Sequence, residues 1–172
     1  DHWSEIKKNT VCDGESQSPI NIIDFNLKIS NSTFEINYED STHICVVFNN
    51  GHTIQYNFEP GDYINLNSIR YNLIQFHFHE PAEHLINGMR YPMEIHLVHS
   101  NEKGSYTVLS IMAQEGSGSP PFEFLELFLP INVNETKTVD QAFNLNLNLP
   151  SNRSLFNYTD SLTTPPCIEG VQ

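Results

Sequence analysis

The run Gln75-Phe76-His77-Phe78-His79-Glu80 decides how this chain is read, and a second run, Glu94-Ile95-His96-Leu97-Val98-His99, completes it. In an extended strand successive side chains alternate faces, so His77 and His79 share one face while Phe76 and Phe78 share the other. One face of such a sheet is buried and the other holds imidazoles placed for a metal. Gln75 falls on the His77 face and Glu94 on the His96 face. Each can accept a hydrogen bond from the distal N–H of its neighbour, which fixes the tautomer and aims the ligand nitrogen.

Three neutral imidazoles leave a zinc ion one open tetrahedral position, the arrangement of a catalytic rather than a structural site. Nitrogen ligands with no cysteine in the set favour Zn²⁺ over softer or more oxygen-seeking metals. Any one of these histidines, read alone, is an ordinary hydrogen-bonded residue. Gln75 and Glu94, read alone, are ordinary polar residues of a half-solvated strand. It is the pair on one strand face with a third on another strand that points to a metal.

Around this core the chain reads as one mostly β domain with a few short helices, built on a large, mainly antiparallel sheet. Strand-like runs are Phe34–Tyr38, Ile44–Phe48, Thr53–Phe58, Asn72–His79, Met93–His99 and Tyr106–Ala113. Turn signals separate them: Asn49-Asn50-Gly51, Glu59-Pro60-Gly61-Asp62, Asn87-Gly88 and Glu102-Lys103-Gly104. Phe122–Phe128, bracketed by Pro120-Pro121 and Pro130, is expected to be helical. Asn144–Pro150 alternates Leu with Asn and reads as a short strand or a polar loop.

With 172 residues the chain fits one domain with a sizeable core. Its formal charge of −13 repels phosphate backbones and anionic lipid, which excludes a nucleic-acid or membrane-surface binder. No apolar run is long enough to span a membrane, and no stretch reads as a signal peptide. Cys12, Cys45 and Cys167 are not spaced as a zinc set; one distant pair and one spare thiol fit better. Sequons at Asn31, Asn134, Asn152 and Asn157, with a possible disulfide, point to an extracellular or secretory-lumen protein.

The chain resembles the α-class carbonic anhydrases along most of its length. The motifs that carry the resemblance come in order: His2-Trp3, Cys12, Gln17-Ser18-Pro19-Ile20, Asn49-Asn50-Gly51-His52, Gln75 to His79, Glu83-His84, Glu94 to His99, and Ser161-Leu162-Thr163-Thr164-Pro165-Pro166-Cys167. It implies a zinc enzyme for the reversible hydration of carbon dioxide to bicarbonate, inhibited by sulfonamides. His77, His79 and His96 match the zinc ligands. Thr163 matches the gatekeeper that accepts from zinc-bound hydroxide and donates to Glu83, an orienting role. Thr164 matches the residue beside bicarbonate, and His52 the proton shuttle, work suited to a side chain that exchanges protons near neutrality. Asn50 and Gln55 match the polar residues that order water between shuttle and metal. Val98, Val108, Leu162 and Val171 match the apolar carbon dioxide pocket, although alone they read as core aliphatics. Cys12 and Cys167 match the disulfide of secreted members, which leaves Cys45 as the free thiol.

The resemblance has departures. Glu80 stands where many animal members carry an aromatic, and the short interval to His96 is that of bacterial and plant-like members. Ala82 replaces a serine. Asp160 replaces a glycine before Ser161, an expected source of strain if that position needs a positive φ. Against the family pattern, residues 1–172 read as a partial domain, lacking an N-terminal segment with a tyrosine and C-terminal strands after Gln172. Two other functions stay open: a catalytically impaired binding relative or fragment, and another zinc hydrolase such as an esterase, for which no placed general base is visible. Oligomeric state is not legible.

Overall fold

The computed structural model describes residues 12–23, 28, 31–116, 120–129 and 131–172. His2-Trp3 and Pro130 lie outside them. Thirteen strands occur among the described residues: β1 (Asn21–Ile22), β2 (Phe34–Asn37), β3 (Thr42–Asn49), β4 (Ile54–Phe58), β5 (Tyr63–Leu66), β6 (Ile69–His79), β7 (Leu85–Ile86), β8 (Met89–Arg90), β9 (Met93–Ser100), β10 (Tyr106–Ala113), β11 (Thr136–Phe143), β12 (Asp160–Ser161) and β13 (Glu169–Val171). Eight of them form one antiparallel sheet in the order β10-β9-β6-β4-β3-β11, with β5 pairing β6 and β2.

Alternation sorts the two faces as the sequence requires. Phe76 lies opposite Tyr56 on one side and Leu97 on the other, and all three are buried. Phe76 is fully enclosed, with the rings of Tyr56, Phe58, Phe78, Phe122 and Phe143 within 6.1 Å of its centroid. Removing so central a ring leaves a cavity its rigid aromatic neighbours cannot close. Phe76→Ala is expected to cost about 3–5 kcal/mol, read as a lower urea midpoint in equilibrium unfolding.

Turn chemistry places the hairpins. Asn87 and Gly88 both have positive φ, 52° and 78°, which suits the two-residue turn joining β7 to β8. Asn67 and Ser68 do the same between β5 and β6, at φ 50° and 64°. The segment expected to be helical is split: a single α turn, α1 (Pro120–Glu123), runs into a 3₁₀ helix at Phe124–Phe128. Asn144–Pro150 is neither strand nor plain loop. Asn144 Oδ1 accepts from the Asn146 N–H at 3.0 Å and caps a 3₁₀ turn over Leu145–Asn148. That turn buries Leu145 in the core and leaves Leu147 exposed.

Asp160 does not have a positive φ and is a paired strand residue opposite Val171, so the expected strain is absent. The substitution instead leaves a buried carboxyl whose Oδ1 has no hydrogen-bond partner, pushed up by burial and then by the charge of Glu169.

Candidate metal centre

Register builds the site. His77 sits directly across from His96 on β9, His79 across from Glu94, and Gln55 of β4 across from His77. Ser110 faces His96 from β10, and Val98 faces Val108. Ligand atoms of His77, His79 and His96 all lie within 4.8 Å of one another, with His77 Nε2 and His79 Nε2 3.1 Å apart.

The remaining nitrogens show which atoms are ready to bind. His77 Nδ1 donates to Gln75 Oε1 at 2.9 Å, and His96 Nε2 donates to Glu94 Oε1 at 2.7 Å. This leaves His77 Nε2 and His96 Nδ1 as bare lone pairs for the common centre. Burial, then the neighbouring His96, lowers His77 to about 3 and His79 to about 4, so both are neutral imidazoles at physiological pH. Converging lone pairs repel unless a cation lies between them, and neutral imidazoles are the form that zinc binds. Glu83 Oε2, buried without a hydrogen-bond partner, stands 3.4 Å from His79 Nε2. The residues therefore fit a zinc ion.

Glu94 is fully buried and anchors a larger network than Gln75. Its Oε1 accepts from His84 Nδ1 at 2.6 Å, His96 Nε2 and Ser110 Oγ, and its Oε2 from the backbone N–H groups of Glu83 and His84. Burial pushes this carboxyl up, but the hydrogen bonds from His84, His96 and Ser110 overcome it and hold the group well below the usual carboxylate range. The chain of contacts continues from His84 Nε2 to Tyr158 Oη, then to Ser18 Oγ at 3.1 Å. His84, Ser110 and Tyr158 were not singled out for roles from sequence. His84 had a signal in its place next to Glu83; the other two had none. His84, Glu94 and His96 also lie close enough to hold a cation, but their facing atoms are already joined by hydrogen bonds.

A cavity of about 670 Å³ opens in front of the histidines. His52, Asn50, Gln55 and Gln75 line it together with His77 and His96, and so do Val98, Val108, Leu162, Val171, Thr163 and Thr164. His79, Glu83 and Glu94 are not in its wall. His52 is exposed on the turn after β3. Asn50 Oδ1 is committed to that turn, accepting from the N–H groups of His52 and Thr53 at 2.8 Å each. Gln55 Nε2 donates to Asn57 Oδ1 at 2.7 Å. Thr163 hydrogen-bonds Glu83, which lowers that carboxyl against the larger upward push of burial. The disulfide Cys12–Cys167 is formed and Cys45 is free.

A family model for eukaryotic-type carbonic anhydrase matches residues 1–172. The chain belongs to the carbonic anhydrase family. It is 35% identical over 173 residues to a carbonic anhydrase of Pectobacterium carotovorum, covering 99% of this chain and 70% of that protein. The solved α-carbonic anhydrase of Thermovibrio ammonificans, in complex with the inhibitor sulfanilamide, superposes with a TM-score of 0.90 at 34% identity, over 99% of this chain and 76% of the other. A structure of dioscorin complexed with ascorbate reaches a TM-score of 0.87 at 28% identity, over 98% and 73%. The expected fold class is thus the observed one. It is the carbonic anhydrase fold, mostly β and carried by a large antiparallel sheet.

Three histidines whose pKa values are depressed by the fold are expected to make the metal-free carbonic anhydrase chain acid-sensitive. His77, His79 and His99 all fall from an ordinary 6.5, to about 3, 4 and 4, each chiefly through burial. A group whose pKa is depressed on folding binds its proton more readily when unfolded. Stability is therefore complete above 6.5 and is lost as pH falls toward 4. Thermal melts in chelator are expected to show the midpoint dropping continuously from pH 7 to 4.5. A flat profile over that range would contradict the burial of these rings.

Proposed function

We propose that this chain catalyses the reversible hydration of carbon dioxide to bicarbonate and a proton, with His77, His79 and His96 holding zinc. The observation that carries this reading is the clustering of His77, His79 and His96, whose ligand atoms all lie within 4.8 Å of one another, beside a cavity lined by both apolar and polar side chains. When bound, zinc makes water acidic enough to serve as a nucleophile near neutral pH, an effect for which carbonic anhydrase is itself the standard example.

The chain's own residues do the rest. Val98, Val108, Leu162 and Val171 offer a dry surface for an uncharged, nonpolar substrate beside the histidines. Thr163 donates its proton to Glu83, so its oxygen faces the cavity only as an acceptor. It selects and aims a group that still carries a proton, which is a contribution of orientation. Thr164, next in the loop, contacts the anionic product. His52 at the mouth takes the proton outward, past the waters that Asn50 and Gln55 order.

Stopped-flow hydration assays on the purified chain, run with metal analysis and sulfanilamide titration, test the reading. Expected are one zinc per chain, a rate far above buffer, and inhibition by sulfanilamide. Stoichiometric zinc with no rate above buffer would instead support the binding-domain reading, for which the likeness to dioscorin is the specific observation. All four sequons, Asn31, Asn134, Asn152 and Asn157, are exposed, which with the disulfide supports a glycosylated protein of the extracellular space or secretory lumen.

A further inference from the structure

We propose that Glu169 is a positioning residue for Thr163, its carboxylate clamping the threonine loop onto the segment from Gly14 to Ser18 in parallel with the Cys12–Cys167 bridge. This deepens the hydration reading above and rests on it. The loop over residues 162–168 hangs between β12 and β13, two very short strands that pair with each other through Asp160 with Val171 and Ser161 with Glu169, separated by an irregularity. Within the loop, the Leu162 N–H donates to Ile168 O at 3.0 Å and the Cys167 N–H to Thr164 O at 2.9 Å. A pair of strands this short does not hold a fixed geometry in water on its own. β13 is tied at its end to β10, where the Val108 N–H donates to Gln172 O at 2.8 Å and the Gln172 N–H to Tyr106 O at 3.4 Å, but the residue 162–168 loop itself lies before that tie. The loop must be braced from outside.

A further brace is the segment after Cys12. Glu169 Oε1 accepts from the Ser16 N–H at 3.0 Å and from Gln17 Nε2 at 2.9 Å. On the paired strand, Ser161 Oγ accepts from the Ser18 N–H at 2.9 Å. Both hydrogen bonds to Glu169 favour its ionised form, and its carboxyl lies below the ordinary range for that reason, the Ser16 N–H first. The seat is shaped for this group: a Cβ on Gly14 would come 1.9 Å from Glu169 Oε1 and 2.8 Å from its Cδ. An alanine there would displace the carboxylate and crowd Gln17 Nε2, which the Cβ would approach to 2.9 Å, while keeping the charge and the Ser16 N–H in the protein. Gly14 does not have a positive φ, so the substitution adds no backbone strain. A loop displaced by a fraction of an ångström would carry the Thr163 hydroxyl off its line to Glu83, and misplacement of about 1 Å costs roughly a hundredfold in rate.

The test compares Glu169→Ala, Glu169→Gln and Gly14→Ala with the parent chain, oxidised and in dithiothreitol. It reads kcat, KM, zinc content, thermal midpoint, and amide exchange at Leu162 and Cys167. Expected are a kcat about tenfold lower in Glu169→Ala and in Gly14→Ala, with KM and zinc content unchanged and exchange at both amides faster. Glu169→Gln keeps an acceptor oxygen and is expected to recover most of the rate. The loss deepens once the disulfide is reduced, because the two ties act in parallel. Unchanged kcat in both Glu169→Ala and Gly14→Ala, oxidised and reduced, would overturn the proposal. So would a fall in thermal midpoint alone. Should the zinc-loaded parent itself show no hydration, the proposed function fails, and unchanged exchange in the variants would then overturn the clamp independently.

Discussion

Replacing His96 by alanine is expected to empty the zinc site and lower hydration by roughly a thousandfold or more, to the buffer rate, since the group that acidifies water is then lost, an effect of which carbonic anhydrase is the standard example. Of the three proposed zinc ligands, His96 is the one most tightly fixed by the fold. It is buried, lies across the strand pair from His77, and has Nε2 tied to a carboxylate that takes four further hydrogen bonds. Its deletion leaves two imidazoles on one strand, too few to hold the ion against chelation. The parallel variant Glu94→Gln separates ligand loss from ligand aim. A carboxamide presents an N–H to donors that need acceptors, so His96 loses its fixed tautomer, and zinc affinity should drop about 10–100-fold. Chelator competition alongside stopped-flow rates checks both. Retention of stoichiometric zinc and parent-level rate by His96→Ala would remove this histidine from the site.

The second large effect lies in stability. Cys12 and Cys167 are 155 residues apart, so their bond closes nearly the whole described chain into one loop. The chain-entropy relation gives about 5 kcal/mol for a loop of this length, and native disulfides commonly contribute about 2–5 kcal/mol when removed. A domain stable by about 5–15 kcal/mol loses a large share of that margin. The double variant Cys12→Ser, Cys167→Ser is therefore expected to unfold at much lower urea than the parent. Dithiothreitol should reproduce the shift in the parent and leave the double variant unmoved. Equal midpoints with and without reductant would show that the bridge constrains little of the unfolded chain.

The faces of β6 and β9 were legible because alternation is a strict consequence of strand geometry: Phe-x-Phe and His-x-His in one run can be sorted only one way. Gln75 and Glu94 followed by the same rule. β5 was not legible, because Tyr63-Ile64-Asn65-Leu66 is joined to the next strand by Asn67-Ser68, a turn in which both residues hold positive φ without a glycine to announce it. β11 was missed for another reason. It is an edge strand, rich in Thr, Lys, Asp and Gln and broken by a bulge between Thr138 and Gln141, and such features protect an edge by hiding strand character. Tyr158 reaches His84 from a distant part of the chain, a contact that no local pattern encodes, and Ser110 reaches Glu94 only through the register of the β9–β10 hairpin. The roles of Thr163, Glu83 and His52 rested on family resemblance. Structure adds that Thr163 and His52 open on one cavity while Glu83 stands behind it.

The pairing of His77 with His96 across β6 and β9 would also make a zinc ion held by the proposed ligands a proofreader of folding. A slip of one residue in that register would turn one imidazole toward the aromatic side and split the ligand set, because side-chain direction has a period of two. A misregistered chain could still be compact, yet it would be blind to zinc. Since a ligand that binds only the native arrangement draws population toward it by mass action, zinc present during refolding should enrich the correctly paired molecules. Immobilised sulfonamide would then retain those molecules and let the misthreaded ones pass.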